Sequence, residues 1–242
     1  MAVLGELGSS TSGQLSGQWL TVLVPVGSTE QHGPHLPLDT DTRIADAVAR
    51  AAGDRLAAAP GPADRDVLVA PAIGYGASGE HQSFPGTVSI GTETLGAVLL
   101  EYGRSACCWA QRVVFVNGHG GNVPALAAAV RRLRLEARDV AWLSCSAEDV
   151  DAHAGHAETS VLLSLSPEVV RWDRVRAGNV APLSELLPAM RRGGVAAVSD
   201  VGVLGDPTTA TAAEGERILA EMIDGCVRAV STWSPRPDGM LQ

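Results

Sequence analysis

The sequence predicts an α/β fold with a mainly parallel sheet covered on both faces by helices. Three observations carry this. Short apolar, β-rich runs alternate with segments of helical length along the whole chain. At 242 residues and 45% apolar composition, the chain can bury one large core without disulfides. Polar segments rich in Gly and His directly follow three of the four strand-like runs, and α/β enzymes keep their chemistry at the C-terminal ends of their strands.

The first strand is Val22–Val26, inside the run Leu20-Thr-Val-Leu-Val-Pro-Val26. Asp41 to Arg55 follows as a helix, with Ile44, Val48 and Leu56 on one side and Asp39, Thr40 or Asp41 at its N-cap. Val67–Ile73 reads as the second strand, Thr92–Arg112 as a long helix, and Val113–Val116 as the third strand. Val123–Ala137 reads as a helix with an Arg-rich outer face, and Val140–Cys145 as the fourth strand. Helices at His156–Leu165 and Thr211–Val230 complete the set. Residues 178–208 are rich in Gly and Ser and lack strong periodicity, which predicts a surface loop, a lid or an oligomer contact. The tail 231–242 carries Pro235, Pro237 and Gly239 and is expected to be mobile. No repeat or long linker divides residues 1–242, so a single domain is expected.

Composition excludes several function classes. No apolar run approaches the roughly 18 residues that argue for a membrane span, and no secretory signal pattern opens the chain. Net charge is −9, all 18 basic residues are arginine and none forms a block, so nucleic acid finds little electrostatic purchase. The four cysteines lack zinc-knuckle spacing and read as buried, reduced thiols in a cytoplasmic protein.

The chemistry concentrates in four places. In Glu30-Gln-His32-Gly-Pro-His35-Leu-Pro-Leu-Asp39-Thr-Asp41, carboxylates and imidazoles crowd the segment after the first strand. Such groups hold zinc, manganese or iron. Glu30 and His32, two residues apart in an extended segment, face the same side. Asp41 returns after a turn built on Gly33, Pro34 and Pro37 and can bridge two cations; a helix cap would explain Asp41 but neither Glu30 nor His32. In Asn117-Gly-His119-Gly-Gly-Asn122 a Gly-rich turn sets His119 on the same rim, without the signatures of a P-loop or a dinucleotide site. In Asp151-Ala-His153-Ala-Gly-His156-Ala-Glu158, Glu158 can close a metal cluster and His153 suits acid–base work, whereas His156 is equally a packing residue. In Gly74–Thr87, the small and polar residues around Ser78, Glu80 and His81 can line a substrate, and no serine-nucleophile elbow is present.

With these motifs together, the chain resembles the creatininase (creatinine amidohydrolase) family across roughly residues 20–225. The matching residues are Pro25 to Thr42, Glu80-His81 with Phe84-Pro-Gly86-Thr87, Asn117 to Asn122, and His153 with Glu158-Thr-Ser160. The resemblance implies a three-layer α/β/α sandwich, a hydrolase with two divalent ions per subunit (Zn, Fe or Mn), and a homo-oligomer. Glu30, His32, Asp41, His119 and Glu158 would be its ligands, with His153 and Glu158 as catalytic groups. Within the family the resemblance narrows to a branch acting in mycofactocin biosynthesis. Leu4 to Gly8, Thr11 and Gly193 to Gly215 carry this narrower match. It implies release of a C-terminal Val-Tyr dipeptide from a modified precursor peptide, decarboxylated and cross-linked beforehand. A substrate ending in a carboxylate would need donors such as Gly-rich backbone or an arginine. One departure stands out: where creatininase resembles Asn-Gly-His-Tyr-Glu-Asn, with its Glu a metal ligand, this chain has Gly120 and Gly121. That argues against creatinine, for a wider pocket with Ser78, Glu80, His81, Gly120 and Gly121 facing substrate, and for Glu158 as the replacement carboxylate. Other readings are another cyclic-amide or formamide hydrolase with the same metals, or a non-catalytic metal-binding scaffold. The scaffold reading predicts loss of a ligand or of the acid–base histidine, and all of these are present.

Overall fold

The structure, a computed structural model, describes residues 5–59, 65–148 and 150–242. Leu4, part of the narrower match, lies outside them. Four strands, β1 (Trp19–Val26), β2 (Arg65–Val69), β3 (Arg112–Asn117) and β4 (Val140–Ser144), form one parallel sheet in the order β2-β1-β3-β4. β1 pairs with β2 from Trp19↔Arg65 and with β3 from Thr21↔Arg112.

The helices are α1 (Ser12–Leu15, a single turn), α2 (Thr40–Ala58), α3 (Thr92–Ala106), α4 (Val123–Leu135), α5 (His156–Leu165), α6 (Leu183–Gly193) and α7 (Ala212–Thr232). The period-two pleat of β1 sends Leu20, Val22, Val24 and Val26 into one core layer with Leu95 and Leu99 of α3 and Leu126 and Leu133 of α4. Leu23 points the other way with Val114 and Val116, against Val48 of α2, Leu162 of α5 and Ile218 of α7. The architecture is therefore the expected three-layer α/β/α sandwich.

The strand order positions the site. The chain leaves β1 through α2 to β2 on one side, then crosses through α3 to β3 on the other side of β1. The loops after β1 and β3 diverge to opposite faces and open a crevice at their C-terminal ends, where ligands of open α/β sheets bind.

Several elements depart from expectation. Helix α3, expected over Thr92–Arg112, stops at Ala106 because the chain must reverse before entering β3. A turn at 107–109 does this, and Gln111 fastens it by accepting the Leu20 N–H. The second strand ends at Val69; Ile73 makes one further bridge, to Val26. Helix α6, with Pro188 inside it, occupies the segment expected to be a loop. The tail expected to be mobile is tied along β4: Trp142 N–H donates to Gly239, Leu241 N–H donates to Trp142, and Leu241 is buried. The cysteines are free, but Cys108 is exposed rather than buried.

Candidate metal centre

Three loops and two helix starts converge at this crevice. Glu30 and His32 lie in the turn after β1 and are wholly buried. His32 Nδ1 lies 3.1 Å from the Glu30 carbonyl, which can only accept, so its Nε2 is left to face Asp41 Oδ1 at 3.0 Å and Glu158 Oε2 at 3.8 Å. Asp41 sits in the first turn of α2 with its side chain turned inward. Its Oδ2 accepts from Ser28 Oγ at 2.7 Å and lies 3.2 Å from His119 Nδ1. One Asp41 oxygen thus meets His32 and the other meets His119, the placement of a bridging carboxylate rather than of a cap. His119 follows β3, where Asn117 Nδ2 donates to its carbonyl at 2.7 Å. Its Nε2 lies 3.3 Å from Glu30 Oε2. Glu158, in the first turn of α5, accepts the Ala154 N–H at 2.6 Å.

The donor atoms gather into Glu30–Asp41–His119 and His32–Asp41–Glu158, with Asp41 common to both, and into Glu30–His32–His153. Both Glu30 carboxylate oxygens are buried without a hydrogen-bond partner. A buried carboxylate is costly unless paired or coordinated. A donor set of carboxylate oxygens and imidazole nitrogens that shares one carboxylate fits two divalent ions of the Zn, Mn or Fe kind.

The electrostatics agree. Burial, reinforced by Asp41, pushes the Glu30 carboxyl up to about 7, and burial pushes Glu158 up to about 7 against the pull of His32. Burial disfavours imidazolium at His32, yet Asp41 prevails and raises it to about 10. His119 rises to about 9 against burial, through Glu30 and Asp41. Asp41 stays well below the usual carboxylate range because His32 and His119 outweigh its burial. Without metal, protons on two histidines supply the positive charge that the carboxylates demand.

Around this cluster lie the other expected residues. His153 is buried, with Nε2 2.8 Å from the Gln31 carbonyl and its ring 4.4 Å from that of His32 between centroids. Burial and His32 hold it well below the usual histidine range, so it is neutral. His81, expected at the substrate, lines the cavity, with its Nε2 3.3 Å from Glu30 Oε1; burial lowers it to about 3. Ser78 is wholly buried behind His119, Oγ to Nε2 3.5 Å, and does not line the cavity. His156 pairs with Thr209 Oγ1 at 2.9 Å, away from the cluster.

A cavity of ≈ 330 Å³ opens over the centre, lined by Glu80, Gly120, Gly121, His153 and Glu158, with Leu183, Leu187 and Met190 of α6 as an apolar wall. Gly120 and Gly121 both line this cavity, and the space beside Gly121 is occupied. A Cβ there would run into the Ala77 carbonyl and His119 and stand 2.8 Å from Glu80 Oε1, so that space is already taken; Gly120 is open. Sequence reasoning missed Gln31, whose Nε2 lies 2.8 Å from His81 Nδ1, 3.1 Å from His153 Nε2 and 3.0 Å from the Gly202 carbonyl. It also missed Ser28 and the α6 wall. Gln31 and Ser28 flank named ligands and were legible there. The α6 wall had only a Leu183, Leu186, Leu187, Met190 spacing inside a Gly-rich stretch.

The family model described as "Creatininase: Creatinine amidohydrolase" matches residues 9–230. A "Mycofactocin precursor peptide peptidase" of Mycobacterium ulcerans is 66% identical over 239 residues, covering 99% of this chain and 96% of that one. One of the same name from Mycobacterium tuberculosis is 67% identical over 240 residues, again covering 99% and 96%. The solved structure titled "Creatininase Mn" superposes with a TM-score of 0.77 at 26% identity, covering 96% of this chain and all of the other. With the sandwich, the convergent donor set and these matches along nearly its whole length, the chain belongs to the creatininase family.

Proposed function

We propose that this protein is a metal-dependent peptidase that hydrolyses a modified mycofactocin precursor peptide and releases its C-terminal Val-Tyr dipeptide. The names of relatives two-thirds identical over almost the entire chain support the substrate. The observation that carries the chemistry is the buried, unpartnered Glu30 carboxylate facing His119 and sharing a cluster with Asp41. Glu30, Asp41 and His119 would hold one divalent ion and His32, Asp41 and Glu158 the other. When bound, the ions supply Lewis-acid polarisation of an amide carbonyl and a water that ionises near neutral pH.

The chain's own groups do the rest. Ser28 keeps Asp41 turned inward, and the Glu30 carbonyl sets the His32 tautomer. Because the Gln31 carbonyl holds a proton on His153 Nε2, Nδ1, 3.8 Å from Glu30 Oε1, is left as an acceptor. His153 can take a proton there and return it to the departing amine. Helix α6 shields the cavity from water on its apolar side. Among the described residues, no Arg lines this cavity, so it offers no side-chain cation to a terminal carboxylate. An end that has already lost its carboxylate suits such a wall. Absence of a lysine or basic block and the free cysteines suit a cytoplasmic protein without nucleic-acid partners, and we assign it as a homo-oligomer on the family resemblance.

The test is mass spectrometry of the metal-loaded protein with the decarboxylated, cross-linked precursor, beside a Glu30→Ala control. Release of the dipeptide by wild type alone is expected. Intact peptide with Zn, Mn and Fe in turn would overturn the reading and direct attention to creatinine and other small cyclic amides.

A further inference from the structure

The cavity over the metal centre does not end at its own walls. A second cavity, of ≈ 460 Å³, adjoins it and shares Ala152, Leu183 and Leu204 as lining. The shared residues form a saddle that short backbone bonds hold rigid: Ala152 N–H donates to Leu204 at 3.1 Å, and Leu204 N–H donates to His153 at 2.8 Å. The outer chamber is also lined by Val150, Asn179, Val180 and Pro182. Val180 is 71% exposed and Val150 40% exposed, so two apolar side chains that line this second cavity stand uncovered beside the metal-centre cavity.

The inner chamber stands at the low end of the range for small-molecule sites, roughly 300–1,000 Å³. It can hold only a short fragment, and a longer chain reacting at the metal centre must leave it over a wall. The shared boundary at Ala152, Leu183 and Leu204 gives it a route into the second cavity, where Val150 and Val180 offer apolar contact. Resting on the peptidase reading, we propose that the outer chamber is the binding site for the stretch of precursor peptide upstream of the scissile bond, with Val150 and Val180 as its specificity contacts. The released end occupies the inner chamber under α6. Substrate recognition is then spread along a trough reaching away from the metals, and peptide length is part of what the enzyme reads.

The experiment compares kcat/KM for the full modified precursor with that for a form trimmed to four residues before the released dipeptide. Wild type is expected to prefer the long form about tenfold or more, mainly through KM. Val180→Arg is expected to bring the long-to-short ratio close to one. Val150→Arg should do the same, and circular dichroism together with metal content guards against misfolding. Equal kcat/KM for long and short peptides in wild type, or variants that lower both equally, would overturn the trough while leaving the peptidase intact. Failure of wild type to cleave either form would overturn the peptidase reading itself and the trough with it.

Discussion

At the scale of the residue, Glu30 decides most. It is a buried carboxylate whose oxygens face histidines but make no hydrogen bond. Glu30→Gln keeps the shape and removes the charge. Peptide cleavage is expected to fall more than about 100-fold, beyond the 10–100-fold typical of an altered outer-shell partner, and elemental analysis should show metal lost. In metal-free protein the same change should raise Tm by about 2–4 °C, since a buried group that favours neutrality has been made neutral, worth roughly 1 kcal/mol. A lower Tm in that state would mean that Glu30 is satisfied without metal. Gln31 acts differently. Its amide lies between His81 Nδ1 and the Gly202 carbonyl, so Gln31→Ala leaves buried polar groups unpaired at about 1–3 kcal/mol. We expect thermal melts to shift down while metal content holds, because the His153 bond to the residue-31 backbone carbonyl is retained.

At the scale of the element, α5 carries Glu158 and is held by α7. Gly215 of α7 lies so close to α5 that a Cβ would press on the Ser160 carbonyl. Gly215→Ala is therefore expected to cost about 1–3 kcal/mol as overpacking that backbone cannot relieve, read as a lower urea midpoint at unchanged m-value. A neutral or stabilising effect, as for glycine in an open helix, would show that α5 and α7 can separate freely. The same scale explains which elements were legible. His156–Leu165 was read at its true bounds because a polar start and an apolar run stand together in sequence. Helix α6 was not, because its apolar stripe faces a small satellite core with Val195 and Leu204 and the metal cavity, and Pro188 and the flanking glycines mask the period.

At the scale of the whole molecule, the titrating groups of the centre sum into a pH profile. His35, His81 and His153 are held neutral, at about 4, about 3 and well below the ordinary 6.5, so the folded state binds fewer protons there and stability rises with pH up to about 6.5. Glu30 and Glu158, raised from 4.5 to about 7, and His119 and His32, raised from 6.5 to about 9 and about 10, bind protons more tightly when folded. Their contribution is complete at low pH and is lost as pH climbs through those values. Metal-free protein should therefore be most stable near pH 6–7 and lose Tm steadily on the alkaline side. Metal-loaded protein, whose ligands are already deprotonated, should lose little there. Parallel alkaline declines with and without metal would contradict this.

The sequence by itself determined the α/β class, the strands and most helices, and named five of the residues whose donor atoms the fold brings together. These follow from local chemistry: periodicity of apolar residues, punctuation by Gly and Pro, and carboxylates and imidazoles too costly to bury without a purpose. Tertiary structure alone decided how those donors group around Asp41, that Ser78 stands behind His119, and that Glu80 already fills the space beside Gly121. It also tied the tail to β4 and laid α6 over the cavity. Such facts depend on which strands become neighbours. Adjacency in the order β2-β1-β3-β4 joins loops about 90 residues apart, and no local pattern in either loop records the distance between them.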